Sequence, residues 1–190
     1  MTAHYSTQND LLLHNLLDFY KEEAKLSTML SIINGESKIS LRIVDWFATN
    51  YAKKYYTLYN IDNAIDETSR RFKVYIDYKL KLKAYSKKRF DPFCRWDRIS
   101  IPYKNGSFIQ TTIGQLNFFK WALENNVVDY IRDNYTDIED DMNSRNSSSR
   151  KKELVVSETA SKTRKRREEL SVLASRSIKK EDVEIVVKFS

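Results

Sequence analysis

Cysteine occurs once in this chain of 190 residues, proline twice, histidine twice and glycine three times. One cysteine rules out an intrachain disulfide framework and fits a reducing compartment. One Cys and two His are too few ligands for a structural zinc site. Gly35, Gly106 and Gly114 stand apart, so no glycine-rich phosphate loop is present. No apolar run approaches the roughly 20 residues a membrane-spanning helix needs. The N-terminus has neither the basic start nor the small-residue cleavage site of a signal peptide. Secreted, disulfide-stapled and integral-membrane classes are thereby excluded. What is expected is a soluble intracellular protein with no cofactor and no metal.

Against these scarcities stands an abundance of rings: 12 Tyr, 9 Phe and 3 Trp, enough amphipathic bulk to fill a core. Lys (20), Ile (15), Asn (13) and Tyr (12) are all read from A/T-rich codons, which points to an A/T-rich genome. The chain carries 33 Lys+Arg against 26 Asp+Glu, a formal net charge of +7. That total hides a segregation. Residues 1–69 hold 6 bases and 9 acids (net −3), and residues 70–104 hold 12 bases and 3 acids (net +9). Residues 105–141 hold 2 bases and 7 acids (net −5), and residues 142–190 hold 13 bases and 7 acids (net +6). Such asymmetry speaks to partners rather than to fold.

Leu12, Leu13, Leu16, Leu17, Tyr20, Ala24 and Met29 or Leu30 recur at helical steps. They predict one long first helix, capped by Ser6 or Asn9 and stopped at Asn34-Gly35. Residues 39–43 suggest a short strand, followed by an aromatic-rich helix through Val44, Phe47, Tyr51, Tyr55 and Leu58. A short helix is expected near 62–70. Phe72, Val74, Ile76, Tyr78, Leu80 and Leu82 then alternate with Lys73, Tyr75, Asp77, Lys79 and Lys81, the period of a half-buried strand with one basic face. Ile99, Ile101 and Tyr103 lead through Asn105-Gly106 into Phe108 and Ile109, a hairpin signal. Thr112 caps a helix with Leu116, Phe119, Leu123, Val127 and Tyr130 or Ile131 as its stripe, ending near Asn134. The sum is an α+β fold, a single compact domain of about four helices with a small antiparallel sheet, over residues 1–141. A basic, largely disordered tail is expected over 142–190, because its Ser-, Asn-, Arg- and Lys-rich start buries too little apolar surface.

The most informative constellation lies in the +9 block. Lys79, Lys81 and Lys83 would share one strand face, followed by Lys87, Lys88, Arg89 and Arg95. Rings are interleaved with them, and the strand period turns Tyr78 inward while leaving Tyr75, Tyr85 and Trp96 as stacking candidates. Cations neutralise phosphates and release counterions, and exposed rings stack on bases, so the mixture suits single-stranded nucleic acid or RNA. The bland reading is that alternating lysines merely blunt a sheet edge. Arg164, Lys165, Arg166 and Arg167 form a second cationic cluster, which also suits a localisation signal. Val183, Ile185, Val187 and Phe189 alternate in a β-prone segment, 183–189, fit either to augment a partner's sheet or to pair with the chain's own.

Catalytic chemistry finds little purchase. Cys94 could act as a nucleophile only if His14 approached it, and no local motif supports that; a lone cysteine between Phe93 and Arg95 is more often a small buried hydrophobe. The acidic run Asp137, Glu139, Asp140 and Asp141 could hold magnesium weakly, but solvation is the commoner fate of such a run. The chain is expected not to be an enzyme.

Three stretches resemble a conserved protein family of nucleocytoplasmic large DNA viruses (giant viruses). They are ISLRIVDWFATNYAKKY at 39–55, FKVYIDYKLKLKAYSKKRFDPFCRWDRI at 72–99 and TTIGQLNFFKWALENNVVDYI at 111–131. Phe90-Asp91-Pro92-Phe93-Cys94 and Gly114-Gln115-Leu116-Asn117-Phe118-Phe119 are the most distinctive words. The resemblance implies a viral source, and a place in the host cytoplasm, the viral factory or the virion. It transfers no activity and no residue role. The resulting expectation is a non-enzymatic protein that binds DNA or RNA in viral gene expression or genome packaging. The alternative is a virion assembly or minor structural protein that binds other viral proteins through its basic surface and C-terminal strand.

Overall fold

Thr7 opens α1 (Gln8–Phe19) with a reciprocal cap: its hydroxyl accepts from Asp10 N at 3.2 Å, and Asp10 Oδ2 accepts from Thr7 N at 3.0 Å. The computed structural model describes residues 7–62, 69–95, 97–103, 108–156 and 180–181. The stretch expected as one helix divides at 20–22, and α2 (Glu23–Asn34) closes at Gly35, left-handed at φ 75° as the Asn-Gly signal implied. A straight rod of this length would carry one end off the core. The turn lets Leu16 and Tyr20 enter the same buried core as Met29, Leu30 and Ile33 instead, and Tyr20 OH donates to Leu116 O at 2.7 Å.

Residues 39–43 do not form the expected strand. The Ser40 hydroxyl accepts from Ile43 N at 3.3 Å and starts α3 (Leu41–Trp46), so the cap overrides the β-propensity of this stretch. The helix runs on through a π turn (Phe47–Tyr51) into a last α turn (Ala52–Lys54). Of the helix expected near 62–70, residues 63–68 lie outside the described residues, and the described ends are strand: β1 (Leu58–Asp62) and β2 (Ser69–Lys73) pair antiparallel, Leu58 opposite Lys73 and Asp62 opposite Ser69. Tyr59 and Phe72 hold this pair to the core, their rings 5.5 Å apart.

The largest departure follows β2. Residues 74–90 form helix α4 (Val74–Phe90), not a strand. Val74, Tyr78 and Leu82 satisfy both periods, since every second residue of a strand includes every fourth residue of a helix. The partner surface decides between them. Phe90, Phe118 and Trp121 surround the Tyr78 ring at 5.8–6.4 Å, and Trp121 Nε1 donates to Asp77 Oδ1 at 2.7 Å.

The expected hairpin is present: β3 (Arg98–Pro102) and β4 (Phe108–Thr112) pair with Ile101 opposite Ile109, and the Asn105-Gly106 turn lies outside the described residues. A two-residue β5 (Lys180–Glu181) adds to the free side of β4, opposite Ile109 and Phe108. The chain thus returns to its own sheet just before 183–189, the segment expected to pair with a partner. That segment and the 164–167 cluster lie outside the described residues.

Thr112 caps α5 (Ile113–Glu124), its hydroxyl accepting from Gln115 N at 3.2 Å. The single helix expected to reach Asn134 breaks at Asn125-Asn126, where Asn126 is left-handed, and α6 (Val127–Asp133) follows. Then α7 (Tyr135–Val156) takes in the acidic run and continues where an irregular tail was expected. Ile138, Asp141 and Met142 are its buried face. The fold is therefore α+β, with seven helices and two small antiparallel sheets among the described residues, more helices than expected. At its centre is α5: Ile113 to Phe119, Trp121 and Ala122 are all buried, so both its faces are covered. No helix among the described residues is long and apolar enough to cross a membrane.

Candidate polyanion-binding face

Helix α4 decides which basic residues stand together. Its inward side carries Val74 and Tyr78; Lys79 and Lys83 are exposed on the outward side with Ile76 and Leu80. Lys81 turns to the other flank and lines a hollow with Tyr85, Lys120 and Glu124. The expected strand face of Lys79, Lys81 and Lys83 is therefore not formed, because alternate residues diverge on a helix. At Ser86 the backbone reaches φ 66° and ψ 167°, a region nearly exclusive to glycine, and the helix axis breaks there. Beyond the break Lys87 and Lys88 are exposed, Arg89 is half-buried and Arg95 is exposed.

The break is clamped by α5. Asn117 Nδ2 donates to Arg89 O at 2.9 Å. Gly114 lies so close that an added Cβ would stand 2.9 Å from Asp91 O and 3.2 Å from Lys88 O, which only glycine avoids. Asp91 Oδ1 in turn accepts from Phe93 N at 2.9 Å and shapes the next turn.

The rings expected to stack on bases are differently used. Tyr75 is half-buried with Lys53 Nζ 5.7 Å from its centroid, and Tyr85 is half-buried and stacked on Phe90 (6.1 Å, 18°). Both are spent on packing. Trp96 lies outside the described residues. The most exposed large ring among the described residues is Tyr56, 86% exposed and held left-handed at φ 52° where the chain leaves α3 for β1.

Several cations outside this block form ion pairs within the chain. Lys21 pairs with Asp18 (2.6 Å), Lys25 with Glu22 (2.5 Å), Lys120 with Glu124 (3.7 Å) and Arg132 with Asp129 (2.6 Å). Lys54 pairs with Asp141. Among the described residues, Lys79, Lys81, Lys83, Lys87, Arg89 and Arg95 meet no carboxylate.

Beside Lys79 and Lys83 run two adjoining hollows. One, of about 450 Å³, is lined by Ala52, Lys53, Tyr56, Leu58 and Lys73. The other, of about 550 Å³, lies along Lys79, Leu80 and Lys83, and the two share Tyr75 and Ile76. Their apolar floor is open to water: Leu58 is 47% exposed, Ile76 54% and Leu80 60%.

The acids do structural work. Asp141, one of the four residues weighed for magnesium, is buried and accepts from Lys54 Nζ, Trp46 Nε1 (3.1 Å) and Tyr55 OH (3.2 Å). Burial pushes its pKa up, but the hydrogen bonds from Lys54, Trp46 and Tyr55 together with the Lys54 charge outweigh that and hold it below the usual range. Glu139 accepts from Tyr135 OH at 2.9 Å. Asp45 is the opposite case: burial, with the Asp91 charge adding to it, pushes its carboxyl from 3.8 up to about 7. His14 sits 3.2 Å from Asp18 within α1, and Cys94 is a half-buried free thiol.

The profile of a family of unknown function, DUF7197, matches residues 2–188. The chain belongs to that family. Uncharacterized protein L507 of Acanthamoeba polyphaga mimivirus is 45% identical over 130 residues, 65% of this chain and 49% of the relative. This DUF7197 chain thus spans about half the length of the curated relative it matches, and the giant-virus resemblance is correct. No solved structure matches.

Within the DUF7197 chain the two distinctive words meet. Gly114 and Asn117 hold Lys88 to Asp91, and Phe90 packs edge-on against Phe118 at 5.9 Å. Their distinctiveness reflects a packing joint. The surface residues that sequence reasoning missed are Tyr56, Leu58, Ile76 and Leu80. Ile76 and Leu80 stand four apart with Lys79 and Lys83 alongside, a pattern visible once the helical period is tried on this stretch. Tyr56 had no such signal, because nothing in the sequence marks a tyrosine for a left-handed position.

Proposed function

We propose that this giant-virus protein acts without catalysis as a nucleic-acid-binding protein in viral gene expression or genome packaging. The observation that carries the reading is the gathering of Lys79, Lys83, Lys87 and Arg95, exposed and without a carboxylate partner among the described residues, on α4 and beyond its break. Unpaired surface cations repel one another, and a polyphosphate relieves that repulsion while releasing its own counterions. Lys79, Lys83, Lys87, Lys88 and Arg95 would meet phosphates, with Arg164, Lys165, Arg166 and Arg167 adding charge. Lys81 and Arg89 contribute at longer range, and Tyr75 and Tyr85 keep their packing roles. Fluorescence anisotropy with labelled single-stranded and duplex oligonucleotides at rising salt tests the reading. Log affinity should fall linearly with log salt. No binding at low salt, or binding indifferent to salt, would overturn it.

A second reading, assembly with other viral proteins, is favoured by one observation: the open apolar floor beside the same lysines. Phosphates gain nothing from Leu58, Ile76 and Leu80, whereas a protein partner would bury them.

A further inference from the structure

We infer that the groove between the end of α3 and the outward face of α4 docks an acidic amphipathic helix of another protein. This rests on the assembly reading, not on nucleic-acid binding. The floor is Tyr56, Leu58, Ile76 and Leu80, and the rim is Lys53, Lys73, Lys79 and Lys83; no carboxylate lines either hollow. Ile76 and Leu80 lie one helical turn apart, which matches anchors spaced three or four residues along a docked helix. Acidic residues flanking those anchors would answer four lysines that have no ion-pair partner among the described residues.

The same charges disfavour other occupants. A second copy docked face to face would set these lysines against themselves. Residues 142–190 carry net +6, so the chain's own C-terminal part is repelled as well. A bilayer attracts cations and apolar side chains, but a flat surface cannot fill two hollows of about 450 and 550 Å³. Tyr56 adds a positional argument. A tyrosine in a left-handed conformation is strained, and strain at an exposed ring marks a residue held for contact rather than for stability.

The test uses the full chain and a synthetic helix-forming peptide with leucines at successive i, i+3 and i+7 positions and glutamates elsewhere. A composition-matched scrambled peptide and a peptide with lysines in place of glutamates serve as comparisons. The acidic peptide should bind, gain helicity on binding and weaken with salt. Ile76→Asn with Leu80→Asn, which alters no charge, should weaken it by about tenfold or more and leave oligonucleotide binding within about twofold. Equal binding of the lysine peptide would overturn the acidic partner while sparing the assembly reading; binding of no peptide would overturn both. Protection of Tyr56 and Leu80 from hydroxyl-radical labelling in the isolated chain would assign the groove to the chain itself. Concentration-dependent dimerisation lost in the double variant would assign it to a second copy. Anionic phosphatidylserine vesicles binding in place of the peptide would assign it to membrane. Each of these three results overturns the proposal.

Discussion

Two scaffold cations are neutralised where they stand: Lys120 on α5 meets Glu124 at 3.7 Å, and Lys54 at the end of the helix begun by α3 is locked onto the buried Asp141 of α7. Along α4 and past Ser86, Lys79, Lys83, Lys87 and Arg95 stand in water with no carboxylate within reach among the described residues. The same residue types serve different ends in the two regions. At these two scaffold positions charge is satisfied internally, within one helix for Lys120 and between two elements for Lys54. On the α4 face it is left for something outside the chain. A paired surface lysine adds little to stability, and an unpaired one subtracts little, so the contrast is not explained by folding energetics.

The contrast can be broken from the scaffold side first. Phe118 is fully buried and touches the rings of Tyr78, Phe90, Phe119 and Trp121. Phe118→Ala should cost about 4 kcal/mol in urea unfolding, whereas Lys79→Ala with Lys83→Ala should change stability by less than about 0.5 kcal/mol. A large loss from the lysine pair would mean that the face is structural after all.

The next effect is a pH dependence inside the scaffold. Asp45 has a folded-state pKa raised to about 7, chiefly by burial. The folded chain therefore holds that proton more tightly than the unfolded chain, so this group removes stability as pH rises from about 4 to about 7. Asp45→Asn should stabilise the protein at pH 8 by on the order of 2–4 kcal/mol and have little effect at pH 4. Unfolding curves at the two pH values check it; equal effects at both would show that Asp45 ionises normally.

A smaller and opposite effect is expected at the rim of the groove. Tyr56→Gly removes the Cβ that a left-handed backbone tolerates poorly, and should raise stability by about 1 kcal/mol. It should at the same time weaken the acidic helical peptide. A destabilised variant would mean that the exposed ring supports the fold.

Much of this was legible from residues alone, for identifiable reasons. Gly35, Thr112 and the 98–112 hairpin followed from turn and cap chemistry that acts locally. The strand expected at 72–82 failed because its apolar spacing fits two periods, and only Phe118 and Trp121, more than thirty residues away in the chain, choose the helical one. The division of the first helix at 20–22 was invisible for a similar reason, since Tyr20 is turned inward by a hydrogen bond to Leu116 O. For the site, the net +9 block correctly marked where exposed cations gather, but the wrong period grouped Lys81 with Lys79 and Lys83. It also promoted Tyr75 and Tyr85, which pack inward, over Tyr56.

The central claim, that the α4 face is charged for a polyanion rather than for the fold, is tested most directly by the salt dependence of oligonucleotide binding in Lys83→Ala with Lys87→Ala. The account predicts an unfolding curve that overlays the parent and a log–log salt slope shallower by about 2, one unit for each lost phosphate contact. An unchanged slope with unchanged affinity would contradict it.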